Sequence, residues 1–144
     1  MTDAPAGYSG TPLVRKLGIT PGQRLLVSGA PEDFLGGELV VPEGTTLLRS
    51  ARAPVDIALL FVTSRTDLER RLAPLLRLLP ADGAVWVTWP KKASKVPTDM
   101  TEDVVREVAL PLGVVDNKVC AVNEVWSGLR LVVRKANRPA WPRT

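Results

Sequence analysis

The chain has 144 residues, a usual length for one domain around one core, and 45% of them are apolar, enough for a packed interior. It has no histidine and a single cysteine, Cys120, which excludes Ser-His-Asp and Cys-His arrangements, histidine-containing zinc motifs, thiolate metal clusters and any intrachain disulfide. The formal net charge is +4, with four basic and no acidic side chains in the last eleven residues, RKANRPAWPRT; such a tail suits RNA, DNA or an anionic ligand, or only solubility.

Residues 1–8 read as a flexible N-terminus and residues 136–144 as a basic C-terminal tail, leaving 9–135 as one α/β domain. In TPLVRKLG, Thr11 is placed to cap a short helix, Pro12 to take its first position and Gly18 to end it. Thr20-Pro21-Gly22 then forms a turn, and RLLVS, residues 24–28, a buried strand. APEDFLGGEL is the next helix candidate, since Pro31, Glu32 and Asp33 suit a first turn. Gly36 and Gly37 oppose it by about 1 kcal/mol each relative to alanine. VPEG reads as a turn, TTLLRS as a short strand, and VDIALLFV as the central strand, its unbroken apolar character fitting a parallel sheet covered on both faces.

TDLERRLAPLLRLLPADG is helical by period. Thr66 and Glu69 have capping-box spacing, and Leu68, Leu72, Leu75, Leu76 and Leu79 form a stripe for the sheet. Arg70, Arg71 and Arg77 are expected to point outward, and Pro74 is awkward inside the helix. AVWVTW is a strand in which Trp86 packs against a helix on one face. A lysine loop, PKKASK, follows. Asp99 and Glu102 have capping-box spacing before VVREVALPLG, whose Val104, Val105, Val108 and Leu112 make an apolar face that Pro111 and Gly113 end. VVDNKVCAV and LRLVVRK close the chain as an antiparallel pair joined by NEVWSG, with Ser127-Gly128 as its tightest part. Cys120 reads as a small buried hydrophobe in the first of these strands.

This alternation predicts a three-layer Rossmann-like α/β domain, with a mostly parallel sheet and an antiparallel C-terminal strand pair. The longest apolar run, Ile57 to Val62, is too short to span a bilayer, and MTDAPAGYSG shows no signal peptide. The expected location is the cytoplasm, with no membrane partner.

The run DIALLFVTSRTDLERRLAPLLRLLPADG followed by AVWVTWP resembles the later half of a class I methyltransferase domain, which also ends in a helix and an antiparallel strand pair. That likeness covers Arg24 to Lys135 at the level of element order. The combination of GYSGTPLVRKLGI, VWVTWPKKASK, TEDVVREVALPLGVVDNKVCAV and EVWSGLRLVVRK is similar to the uncharacterised bacterial DUF3052 family over nearly the whole chain. That resemblance implies a bacterial protein and transfers no catalytic residues.

A methyltransferase places a glycine-rich turn after its first strand so that backbone can approach the cofactor. Here VSGAPEDFLGG has only Gly29 in that turn, and the next strand ends in Arg49 and Ser50 where a carboxylate would bind ribose hydroxyls. The expectation is therefore a methyltransferase-like scaffold lacking the cofactor turn, with no cofactor, no metal and no catalytic set. The adjacent carboxylates Glu32/Asp33 and Glu102/Asp103 read as helix-start charges.

The candidate ligand site lies at the carboxyl edge of the sheet: Ser28, Gly29 and Ser64, with Trp89 as a stacking face and Lys91, Lys92 and Lys95 as mobile charge. Small anions, nucleotides or single-stranded nucleic acid suit it chemically. Trp126 is a candidate interaction residue. Three readings follow: a non-enzymatic binding or regulatory domain, an enzyme acting on a small anionic or nucleotide-like ligand, or a protein-interaction domain without a pocket. Neither a protein partner nor an oligomeric state is indicated by the residues.

Overall fold

The computed structural model describes residues 12–51 and 53–141. The flexible N-terminus expected over residues 1–8, the Thr11 cap and the last three tail residues lie outside them. In chain order the elements are α1 (Leu13–Lys16), β1 (Arg24–Ser28), β2 (Thr46–Leu48), β3 (Ile57–Phe61), α2 (Arg65–Leu76), β4 (Ala84–Pro90), α3 (Glu102–Ala109), β5 (Val114–Ala121) and β6 (Trp126–Val133). They form a six-stranded sheet of order β2-β1-β3-β4-β6-β5. The first four strands in that order run parallel, and β6 is antiparallel to both β4 and β5. This is the mixed sheet that the sequence alternation predicts.

Each face of the sheet has its own core. On one side Leu68, Leu72, Leu75 and Leu76 of α2, with Val105 and Ala109 of α3, pack on Ala58, Leu60, Val85, Val87, Leu129 and Leu131. On the other side Leu13 and Leu17 from the α1 segment, with Phe34 and Leu39, cover Leu25, Ile57, Leu59, Phe61 and Trp86. Alternate residues of β3 therefore enter different cores, which is why that strand is apolar throughout. Trp86 is fully buried, and its indole Nε1–H donates to the Leu17 carbonyl at 2.9 Å, pinning the end of α1 to the sheet. Gly128 opens room for that ring, since a Cβ there would lie 3.1 Å from Trp86 Cε3.

Local details correct several expectations. Residues 31–40 form turns and no helix. Phe34 N–H donates to the Pro31 carbonyl at 3.0 Å, and Leu39 N–H to the Phe34 carbonyl at 2.9 Å. Gly36 has φ +82°, which breaks a helical path, while Phe34 and Leu39 fill the layer as side chains on a coil. The α2 cap is Ser64, still extended, whose Oγ accepts from Asp67 N–H at 3.1 Å; Thr66 is already helical and cannot cap. Thr101 caps α3 through Val104 N–H, whereas Asp99 accepts from Arg65 N–H at 2.8 Å and completes the start of α2.

The strand pair also turns elsewhere than expected. Asn123 Oδ1 accepts from the Val125 and Trp126 amides, each at 2.8 Å, and closes the turn there, while Ser127 and Gly128 are strand residues of β6. Beyond β6, Lys135–Ala140 forms a 3-10 helix. Trp141, within the segment read as a tail, packs on the α2 core and donates from Nε1 to the Leu79 carbonyl at 2.8 Å.

Candidate functional site

The chain leaves β1 for β2 on one side and returns to β3 on the other, so the sheet reverses its order between β1 and β3. Open α/β sheets hold ligands outside the carboxyl ends of the strands at such a point. Ser28 ends β1 there, Gly29 turns away with φ +77°, and Ser64 caps α2 after β3.

The dominant group at this point is Arg71. Its guanidinium donates to the Phe61 carbonyl at 3.0 Å and to Ser28 Oγ at 2.6 Å, and pairs with Asp67. Asp67 in turn donates its backbone N–H to Ser64 Oγ and accepts a second guanidinium from Arg70. Burial disfavours the charged Asp67 carboxylate, but hydrogen bonds from Arg71 and then Arg70 outweigh it and hold its pKa below the ordinary value. A bonded network thus joins Ser28 to Ser64 across the ends of β1 and β3. The expectation that Arg71 points outward is corrected: its side chain is 20% exposed, against 72% for Arg70. The signal was its position between Leu68 and Leu72, on the border of the leucine stripe, with Asp67 four residues before it.

Beside this network lies a cleft of about 260 Å³, lined by Val27, Gly29, Pro31, Glu32, Leu35 and Arg49. Arg49 follows β2, is exposed, and forms no ion pair with the described residues. Glu32 supplies a carboxylate to the same cleft from the coil after β1 rather than from a strand end. Phe61 underlies the region in an edge-on aromatic row, its ring centroid 5.0 Å from Phe34 and 5.1 Å from Trp126. Trp126, half-buried in that row and in β6, braces the sheet end.

The other sequence candidates sit apart from this network. Trp89 is only 6% exposed and belongs to the α2–α3 core, so it presents no open face for stacking. Lys91 is fixed to the β5–β6 turn, its amide donating to the Val125 carbonyl at 2.7 Å and its Nζ to the Asn123 carbonyl at 2.6 Å, and is not mobile charge. Lys92 and Lys95 are exposed around a short 3-10 turn, Lys92–Ser94. The described residues contain no group of three or more acidic or thiol ligands placed to hold a metal ion. No helix among them is long and apolar enough to cross a membrane.

The architecture matches solved methyltransferase structures. A SAM-dependent methyltransferase from Aquifex aeolicus superposes with a TM-score of 0.65 at 15% identity, over 85% of this chain and 88% of that one. This is a methyltransferase-like fold. A TehB-like SAM-dependent methyltransferase from Corynebacterium glutamicum gives 0.54 at 13% identity, covering 85% of each chain. Magnesium protoporphyrin IX methyltransferase from Synechocystis, with bound SAM, gives 0.55 at 12% identity, over 85% of this chain and 74% of that one. Identities this low establish the fold alone. No family model and no curated protein matches the sequence.

A Cβ at Gly29 would lie 2.8 Å from the Phe61 carbonyl oxygen and 3.2 Å from Arg71 Nη2, so the turn packs against β3 and α2 too closely for any side chain.

Proposed function

We propose that the chain is a ligand-binding or regulatory domain on a methyltransferase-like scaffold, and that it does not transfer methyl groups. The observation that carries this reading is the Arg71 guanidinium, bound to both the Ser28 hydroxyl and the Phe61 carbonyl across the reversal of the sheet. It occupies the crevice with a structural brace and leaves open a cleft toward β2. That cleft suits a small nucleotide-like ligand whose anionic group faces Arg49 and whose hydroxyl or amine donors face Glu32. Membership of the DUF3052 family, supported by the motifs spread along the chain, and a cytoplasmic location go with this reading.

Calorimetry with ADP and with S-adenosylmethionine tests it. ADP binding that is lost in Arg49→Gln, with the circular dichroism spectrum retained, is the expected result. A dissociation constant for S-adenosylmethionine of about 10 μM or tighter, roughly −7 kcal/mol, overturns the reading. So does ADP affinity that Arg49→Gln leaves unchanged.

A further inference from the structure

We propose a second anion site on the α1 side of the sheet, built to take the phosphoryl group of a small molecule. A cleft of about 270 Å³ opens between the end of α1 and the β5–β6 pair, lined by Arg15, Lys16, Asn117, Lys118 and Arg130 among others, with no acidic residue among the described residues of its lining. Elsewhere the chain matches arginines to carboxylates: Arg24 to Asp56, Arg65 to Glu69 and Glu107, Arg70 and Arg71 to Asp67, and Arg106 to Glu102, Asp103 and Asp116. Arg130 has no such match among the described residues. Its contact there is a hydrogen bond to Asn117 Oδ1 at 3.3 Å, although a guanidinium has five N–H donors in a fork that suits phosphate. Burial disfavours its charge, with no opposing carboxylate.

The strand register shows that this concentration of charge is built in. Lys118 stands directly opposite Arg130, an arrangement of like charges that destabilises a strand pair. A bulge between Asp116 and Lys118 creates it. The extra residue sends Asp116 to the other face, where it pairs with Arg106 of α3 at 3.2 Å, and leaves Lys118 facing α1. The bulge therefore separates a carboxylate from the basic cleft. Lys118 Nζ donates to the Lys16 carbonyl at 3.0 Å, and Trp86 fixes the neighbouring Leu17 carbonyl, so the Lys118 ammonium is held before any ligand arrives. A phosphoryl group, with a charge of about −1.5 to −2 near neutral pH, relieves the repulsion and supplies acceptors for the free donors of Arg130.

The test is calorimetric titration of the full chain with pyrophosphate at about 50 and 200 mM salt. The expected result is saturable binding that persists in Arg49→Gln, where the anionic contact of the other cleft is removed. In that background it weakens roughly tenfold or more when Arg130→Gln or Lys118→Gln is added, and it is unchanged by Lys92→Gln. Circular dichroism confirms that the variants fold. Cys120 gives an independent readout, because Lys16 and Lys118 favour its thiolate against the burial that pushes its pKa up. Pyrophosphate that neutralises Lys118 should slow alkylation of Cys120 by iodoacetamide in the wild type, and should not do so in Arg130→Gln. Equal weakening by Lys92→Gln would reduce the effect to diffuse charge and overturn the proposal. Absence of saturable binding by the wild type also overturns it. Tighter binding of a short single-stranded oligonucleotide than of pyrophosphate, with a steeper salt dependence, would overturn it in favour of a nucleic-acid surface.

Discussion

Replacing Arg71 by alanine is the sharpest probe of the carboxyl edge. The change removes a cation that donates to the Phe61 carbonyl, to Ser28 Oγ and to Asp67 from a side chain 20% exposed. Hydrogen bonds with a charged partner contribute roughly 1.5–3 kcal/mol each. Water entering the emptied space partly replaces the donor for Ser28 and Phe61, and the Asp67 carboxylate keeps Arg70. Two such bonds, discounted for that solvation, give an expected loss of about 2–4 kcal/mol. Arg70→Ala is the matched control: its side chain is 72% exposed and its pair with Asp67 should contribute below about 1 kcal/mol. Urea denaturation of both variants with a common slope measures the difference. Equal losses in the two, within about 0.5 kcal/mol, would refute the brace and with it the reason for reading the crevice as closed.

Leu72→Ala and Leu76→Ala should each lose about 2–5 kcal/mol in the same assay, because both side chains are buried against the sheet; near-zero effects would contradict the packing of α2. The Asp67 network should also show in the pH dependence. Its folded pKa is depressed, so its stabilisation is present above the unfolded value of about 3.9 and is lost as pH falls through the folded one. The stability gap between wild type and Asp67→Asn should therefore narrow as pH drops from about 5 toward 3; a gap that stays constant would mean that the carboxylate does not carry the effect.

The central parallel strands were legible because burial on both faces leaves a trace that needs no partner: Ile57 to Phe61 and Ala84 to Pro90 are buried at every position. The α2 stripe was legible for the same reason, each leucine answering to the helix period. Residues 31–40 misled because Pro-Glu-Asp opens a turn as well as a helix, and only the path through Gly36 distinguishes them. The caps slipped because Ser64, Thr66, Asp99 and Thr101 all offer suitable oxygens, and choosing among them takes the backbone conformation.

The groups that define the two clefts were hidden more deeply. Arg71 finds Ser28 across 43 positions of sequence, and Lys118 finds the Lys16 carbonyl across 102, separations over which no local pattern operates. Charge counting located the basic excess of the chain at its C-terminus. The basic cleft instead draws on α1 and the β5–β6 pair, whose cations look like ordinary solvated side chains until the sheet aligns them.

The bulge in β5 also bears on what the open edge of the sheet presents to another strand. β5 is the last strand of the sheet, with Val119 56% exposed, and an unpaired edge of that kind invites another chain to continue the ladder. An added strand in regular register would meet an interrupted hydrogen-bond pattern at Asn117 and the exposed ammonium of Lys118 immediately beyond it. The opposite edge is guarded by brevity, since β2 runs only from Thr46 to Leu48. Deleting Asn117 to straighten β5 would therefore do more than move a lysine: it would leave a longer, flatter edge on which the protein becomes a template for its own aggregation.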